Sequence, residues 1–353
     1  MKYRLSSAML ALSLPVWLAA QTSAPELAFA STPNFLKLPA DLYLGEAAGV
    51  ATNSKGHIFV YTRTGGVSVT EGTALAFERG SSRLFEFAAD GQFVREVAPA
   101  LYGFTFAHGV RIDPQDNIWV IDEGSNMIIK LNPEGRVVMT MGRKPESIRV
   151  PAKAVDSGSV SKENSAAHAG KGARTDVFDR PTDVAWDQAG NIYIADGHGN
   201  SRVAKFDKNG VFLKSWGWKG TEPGEFDDPH SIATDAQGNV YVADLGNHRI
   251  QVFGNNGEVK TQFTNVGAPA AICISSGPHP YLFSSNSNDP TTMDNGEIYK
   301  MELDGRVVGR FGRAGKLLKE FGSANALDCR NPNELYVAEV TNWRVQKVVL
   351  QPK

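Results

Sequence analysis

Six times along this chain a short apolar strand is followed by a turn and a second apolar strand, and the pairs read almost as copies of one another. IFVYTR (58–63) precedes RLFEF (83–87), IWVIDE (118–123) precedes MIIKL (127–131), and IYIADG (192–197) precedes RVAKF (202–206). VYVADL (240–245) precedes RIQVF (249–253), YLFSSN (281–286) precedes EIYKM (297–301), and LYVAEV (335–340) precedes RVQKV (344–348). A unit of this size cannot bury its own apolar face, so repetition requires neighbours stacked into one continuous core. Period-two alternation marks half-buried strands; a third apolar piece comes before each pair and a fourth after it, as in FLKSWG (212–217). The intervening turns AADG (88–91), NPEG (132–135), DKNG (207–210), GNNG (254–257) and ELDG (302–305) set Asp or Asn beside or near a Gly that accepts positive φ. Four antiparallel strands in each of six repeats predict an all-β fold, a six-bladed β-propeller.

An open ring would leave two exposed sheet edges, so the propeller must close. The chain stops at VVLQPK, directly after the third strand of the sixth blade. The missing outer strand is therefore expected from the N-terminal side, and PNFLKLP (33–39) is the segment expected to supply it. Ahead of it, MKYR, the apolar stretch AMLALSLPVWLAA and small residues ending in LAAQ or AFAS have the form of a secretory signal peptide. The apolar run is short and broken by Pro15, too short for a comfortable membrane span, and no second membrane segment follows. The expected organisation is a signal peptide over 1–30 and one propeller over 31–353, exported to the periplasm or beyond, with a flexible inter-blade loop over 144–177. A further insertion, TGGVSVTEGTALAFERGSS, interrupts the first blade.

With 36 basic against 38 acidic residues and a net charge of −2, no polyanion-binding surface is indicated and nucleic acid is not an expected partner. A monomer acting on a small or peptide-like molecule is expected. The two cysteines, Cys273 and Cys329, sit one position out of phase in their repeats, which points to buried thiols on opposite strand faces rather than a disulfide.

Equivalent residues of a propeller lie on circles about its axis, so aligning the repeats shows which side chains converge. Eleven residues before the strand aromatic (Phe59, Trp119, Tyr193, Tyr241, Tyr336) lie Ala48, His108, Thr182, His230 and Asn325, with Ala270 or Ala271 in the fifth repeat. His108, His230 and Asn325 thus fall in blades two, four and six, about 120° apart in a six-fold ring. Three neutral donors so spaced form an open arrangement suited to a catalytic divalent metal, although Asn offers only a weak amide oxygen. The bland reading, histidines lining a hydrated channel, fits the spacing equally well. His198 lies at a Gly-flanked turn in DGHGNSR (196–202), and Arg63 stands where other repeats carry Glu123, Gly197, Leu245 and Val340. An Arg there can hold a substrate carboxylate or pair with Glu123. The recurring acids Asp122, Asp196, Asp244 and Glu339 read as turn-holding groups.

The segments FLKLPADLYLGEAAGVATNSKGHIFVYTR (35–63), FAHGVRIDPQDNIWVID (106–122), FDRPTDVAWDQAGNIYIADGHGNSRVAKFDKNGVFLKSWG (178–217) and FDDPHSIATDAQGNVYVADLGNHRIQVF (226–253) resemble the NHL-repeat propellers of peptidyl-α-hydroxyglycine α-amidating lyases. That resemblance implies a zinc ion on three histidines, with an arginine and a tyrosine beside it, cleaving a carbinolamide C–N bond to an amide and glyoxylate. His108 and His230 match two metal ligands and Arg63 the active-site arginine. Asn325 stands at the third ligand, and Ala326 at the Asp that helps bind a structural calcium, so that calcium is not expected here. His198 replaces the tyrosine, and Gly199 the half-cystine after it. The implied role of His198 is either substitute ligand or proton-transfer group, its imidazole titrating near neutrality. Two functions follow: an exported metal-assisted lyase with an altered site, acting on a small carboxylated or amide-like substrate, or a noncatalytic propeller that binds a ligand or partner protein.

Overall fold

A computed structural model describes residues 24–64, 67–69, 77–79, 82–143, 177–286 and 295–351. Most of the expected signal peptide (1–30), up to residue 23, and nearly all of the 144–177 segment lie outside these. Six four-stranded antiparallel sheets succeed one another along the chain. Their innermost strands are Glu46–Thr52, Ala107–Ile112, Asp183–Trp186, Pro229–Thr234, Pro269–Ile274 and Ala324–Asn331. Each expected strand pair supplies the second and third strands of a blade, as Ile192–Asp196 and Arg202–Phe206 do in blade three. The predicted turn glycines Gly91, Gly135, Gly210, Gly257 and Gly305 all adopt φ between 81° and 92°.

Both faces of a blade are covered by its neighbours, which is why apolar residues occupy both phases of the inner strands. One core fills each gap: Trp119, Ile121, Phe178 and Ile194 pack between blades two and three. Val50, Val60, Phe85, Tyr336 and Ala338 do the same between blades one and six, so the ring is continuous. The repeated acids bind the loop that enters each blade. Asp122, Asp196, Asp244 and Glu339 are fully buried and accept the backbone N–H of Thr105, Asp179, Asp227 and Gly322, each seventeen residues upstream. They serve the fold, as expected for a group present in almost every blade.

An N-terminal strand closes the ring, but not the expected one. Phe29–Thr32 pairs antiparallel with Arg344–Leu350, Phe29 opposite Leu350 and Thr32 opposite Lys347. Residues 33–39 begin and end in prolines, which cannot donate to a ladder, and Asn34 turns the chain with φ 46°. That segment runs past the edge of blade one, where Lys37 donates to the carbonyl of Gly91, and packs Phe35, Leu36 and Leu38 over the blade one to six core. The insertion in blade one contributes a small hairpin, Val67–Val69 with Phe77–Arg79.

Contrary to the phase reading, Cys273 and Cys329 form a disulfide with Cα atoms 6.1 Å apart. Neighbouring blades meet through opposite faces, one presenting its leading side and the other its trailing side. A one-position offset between equivalent strands is therefore what turns two side chains toward each other. Cys273 shares its face with Ala271, and Cys329 with Leu327, all in the core between blades five and six.

Candidate metal centre

The sequence positions that converge on the axis do so through a repeated local distortion. In five innermost strands the pairing register slips across the ring position, between Ala47 and Gly49, Ala107 and Gly109, Pro229 and Ser231, Pro269 and Ile272, and Ala324 and Ala326. The extra residue of a bulge is unpaired and turned off the alternating faces. Ala48, His108, His230, Ala270 or Ala271, and Asn325 are those extra residues. A bulge is how a strand buried on both sides can aim one side chain along the third direction, toward the channel.

His108 and His230 are 4% and 7% exposed. Nδ1 of His108 lies 2.6 Å from the carbonyl oxygen of Thr182, and Nδ1 of His230 lies 2.7 Å from that of Ala270. A carbonyl only accepts, so each Nδ1 carries the hydrogen and each Nε2 presents a lone pair. His198 arrives from the turn after the second strand of blade three. Gly197 makes the approach possible: a Cβ there would lie 2.2 Å from the carbonyl oxygen of Pro229, the neighbour of His230. The Asp228 carboxylate sits 2.7 Å from Nδ1 of His198, and Nε2 of His198 stands 3.3 Å from Nε2 of His108. Ligand atoms of His108, His198 and His230 all lie within 4.8 Å of one another.

That spacing fits a metal. Donors about 2.0–2.1 Å from a tetrahedral zinc stand about 3.3–3.4 Å apart, and the His108 to His198 separation is already that short. Each Nδ1 faces a carbonyl or carboxylate oxygen, the outer support that orients imidazole ligands in metal sites. Burial, reinforced by the neighbouring histidines and by Arg63, holds His108 well below the ordinary imidazole range; burial likewise lowers His230. Both stay neutral and ready to coordinate. Burial opposes charge on His198 as well, but Asp228 and then Glu123 overcome it and raise its pKa.

The pair has a pH signature in the metal-free protein. A raised His198 pKa contributes stability that is fully present below the ordinary histidine value and lost as pH rises through the raised one. A depressed Asp228 pKa contributes stability present above the ordinary Asp value and lost as pH falls through the lowered one. The Asp228→Asn change should therefore lower the melting temperature of the metal-free protein more near about pH 6 than near about pH 9. Thermal melts at the two pH values check this; equal losses would mean that the pair stores no charge-dependent stability.

Asn325 comes to the channel but turns its amide nitrogen to the backbone, donating to the carbonyls of Ala48 and His108 at 2.7 and 3.2 Å. Arg63 pairs with Glu46 of its own blade at 2.6 Å and not with Glu123. It also donates to the carbonyl of Ala107 and stacks 3.9 Å above the Phe106 ring. Two site residues were not singled out from the sequence, Asp228 and Glu123. Glu123 Oε2 lies 3.7 Å from Nε2 of His198. Their signals were present, Asp228 in DDPH just ahead of a ring histidine and Glu123 at the repeat position of Arg63.

Below the histidines the axis is filled. Arg111, three residues after His108, forks onto Asp183 at 2.8 and 2.5 Å and reaches the Ser231 hydroxyl and the carbonyls of Ile272 and Leu327. One guanidinium from blade two thus touches blades three, four, five and six. On its far side opens a separate cavity of about 390 Å³, lined by Trp186, Ile232, Ile274 and the disulfide among others.

An all-β propeller with a histidine cluster at one end of its axis is the class that the fold and site define. The model of the NHL repeat matches residues 178–206 and 226–253. A probable peptidyl-alpha-hydroxyglycine alpha-amidating lyase of Caenorhabditis elegans is 29% identical over 178 residues, 48% of this chain but only 43% of that protein's own length. Mouse NHL repeat-containing protein 3 is 27% identical over 302 residues, 80% of this chain and 78% of its own. Among solved structures, virginiamycin B lyase from Staphylococcus aureus superposes with a TM-score of 0.54 at 11% identity, over 92% of this chain and all of that one, a likeness of fold. The chain is an NHL-repeat six-bladed β-propeller distantly related to peptidyl-α-hydroxyglycine α-amidating lyase domains.

Proposed function

We propose that this protein is an exported, metal-assisted lyase whose divalent ion, zinc by the character of its donors, is held by His108, His198 and His230. The observation that carries the reading is the convergence of three imidazoles, each with its Nδ1 against an oxygen. The third ligand has moved from blade six, where Asn325 stands, to the turn of blade three. A zinc ion there would polarise a hydroxyl or carbonyl oxygen of the substrate. The chain's own residues supply the rest. The carbonyls of Thr182 and Ala270 fix two rings, Asp228 sits against the third, and Arg63 stacks on Phe106 and donates to the carbonyl of Ala107, the residue before His108 in the chain. By relation to the lyases, the bond broken is a C–N bond at a carbon that also bears a hydroxyl. The Cys273–Cys329 disulfide supports an oxidising, extracytoplasmic location. Among the described residues no helix is long and apolar enough to cross a membrane.

Elemental analysis of protein purified without chelators tests the reading. About one equivalent of divalent metal per chain is expected, removable by chelator and restored by zinc. Protein that is metal-free and takes up neither zinc nor cobalt would instead favour a noncatalytic binding propeller, the reading that the backbone-bound amide of Asn325 favours.

A further inference from the structure

We infer that Glu123 makes this pocket select uncharged or cationic substrates that offer an O–H or N–H donor, and reject carboxylates; the inference rests on the metal reading above. The side chain of Glu123 is 12% exposed, and its Oε2 faces Nε2 of His198 at 3.7 Å. Its position is fixed by the backbone, where its N–H donates to Phe106 and its carbonyl accepts from Asn126. The compact donor group consists of the three histidines, so Glu123 stands beside the donors, next to the Nε2 of His198.

Fixed charge around the cluster decides which ligands it favours. Arg63 is neutralised by Glu46, and Arg180, 3.8 Å from Asp179, spends a second nitrogen on the carbonyl of His198. Left over are two carboxylates, Asp228 and Glu123, on either side of His198. With neutral histidines they balance a dication, so a bound anion would find no net attraction. It would also meet Glu123 directly, and juxtaposed like charges oppose binding. A neutral molecule with a hydroxyl or amide hydrogen gains an acceptor instead. The favoured substrate is thus an uncharged or cationic molecule with a hydroxyl or amide hydrogen and no carboxylate beside the metal.

Cobalt-loaded protein gives a test independent of turnover. Azide and imidazole, an anion and a neutral donor, are titrated separately while the visible cobalt spectrum is followed. Glu123→Gln should tighten azide binding by about tenfold and change imidazole binding by less than about twofold. Glu123→Asp, which keeps the charge, should discriminate as the wild type does. Equal azide affinity in wild type and Glu123→Gln, or tighter azide binding in both variants, would overturn the inference while leaving the metal centre standing. Failure of the wild type to take up cobalt would overturn both.

Discussion

Replacing His198 by alanine should lower zinc affinity by more than about 100-fold in a competition titration against a chromophoric chelator, if the three histidines hold a metal as proposed. Loss of an outer supporting partner alone typically costs about 10–100-fold, and a direct donor is worth more. His108→Ala should behave alike, since its Nε2 lies 3.3 Å from that of His198 and both face one point. Asn325→Ala supplies the contrast. Its amide nitrogen serves the carbonyls of Ala48 and His108, so metal stoichiometry should survive. If Asn325→Ala loses zinc and His198→Ala keeps it, the third ligand is in blade six after all. Melting curves of the metal-free variants separate lost coordination from lost folding.

Phe29→Ala should destabilise the propeller by about 3–5 kcal/mol, read as a fall in the denaturant midpoint. The ring of Phe29 is 9% exposed and lies 5.1 Å from Phe311 and 6.3 Å from Phe321, inside the core between blades five and six. Its strand also covers the edge left open by Arg344–Leu350. The residues just before it are tied down too, with Arg310 donating to the carbonyl of Pro25 and Leu27 to that of Arg310. A chain beginning at Ser31 should accordingly be less stable than the point variant. N-terminal sequencing of the protein purified from its native cells should find a start before Pro25, which the LAAQ exit would provide and the AFAS exit would not. A stable protein starting at Ser31 would show that closure does not depend on this strand.

The fold was legible because the repeats carry it six times over, and an error in one copy is corrected by five others. His108 and His230 were legible for the same reason, as exceptions in an otherwise regular column. What occurs once was harder to read. The closing strand starts four residues before PNFLKLP; that stretch is the more apolar, and Phe29 lies in a segment that also resembles a cleavage signal. The disulfide is hidden from a reading that treats two blades as one sheet, because side chains that face each other across a gap belong to opposite phases. His198 lies outside the repeat alignment altogether. Its reach depends on Gly197 letting a turn settle on Pro229, a contact between blades that spacing within a blade does not reveal. Glu123 and Asp228 become site residues only once that turn is in place.

The guanidinium of Arg111, wedged among four blades, plugs the axis between the histidine cluster and the cavity beyond it. A molecule held against the histidines and another held in that cavity would be kept apart by one charged side chain, so the two ends of the propeller would answer to different ligands.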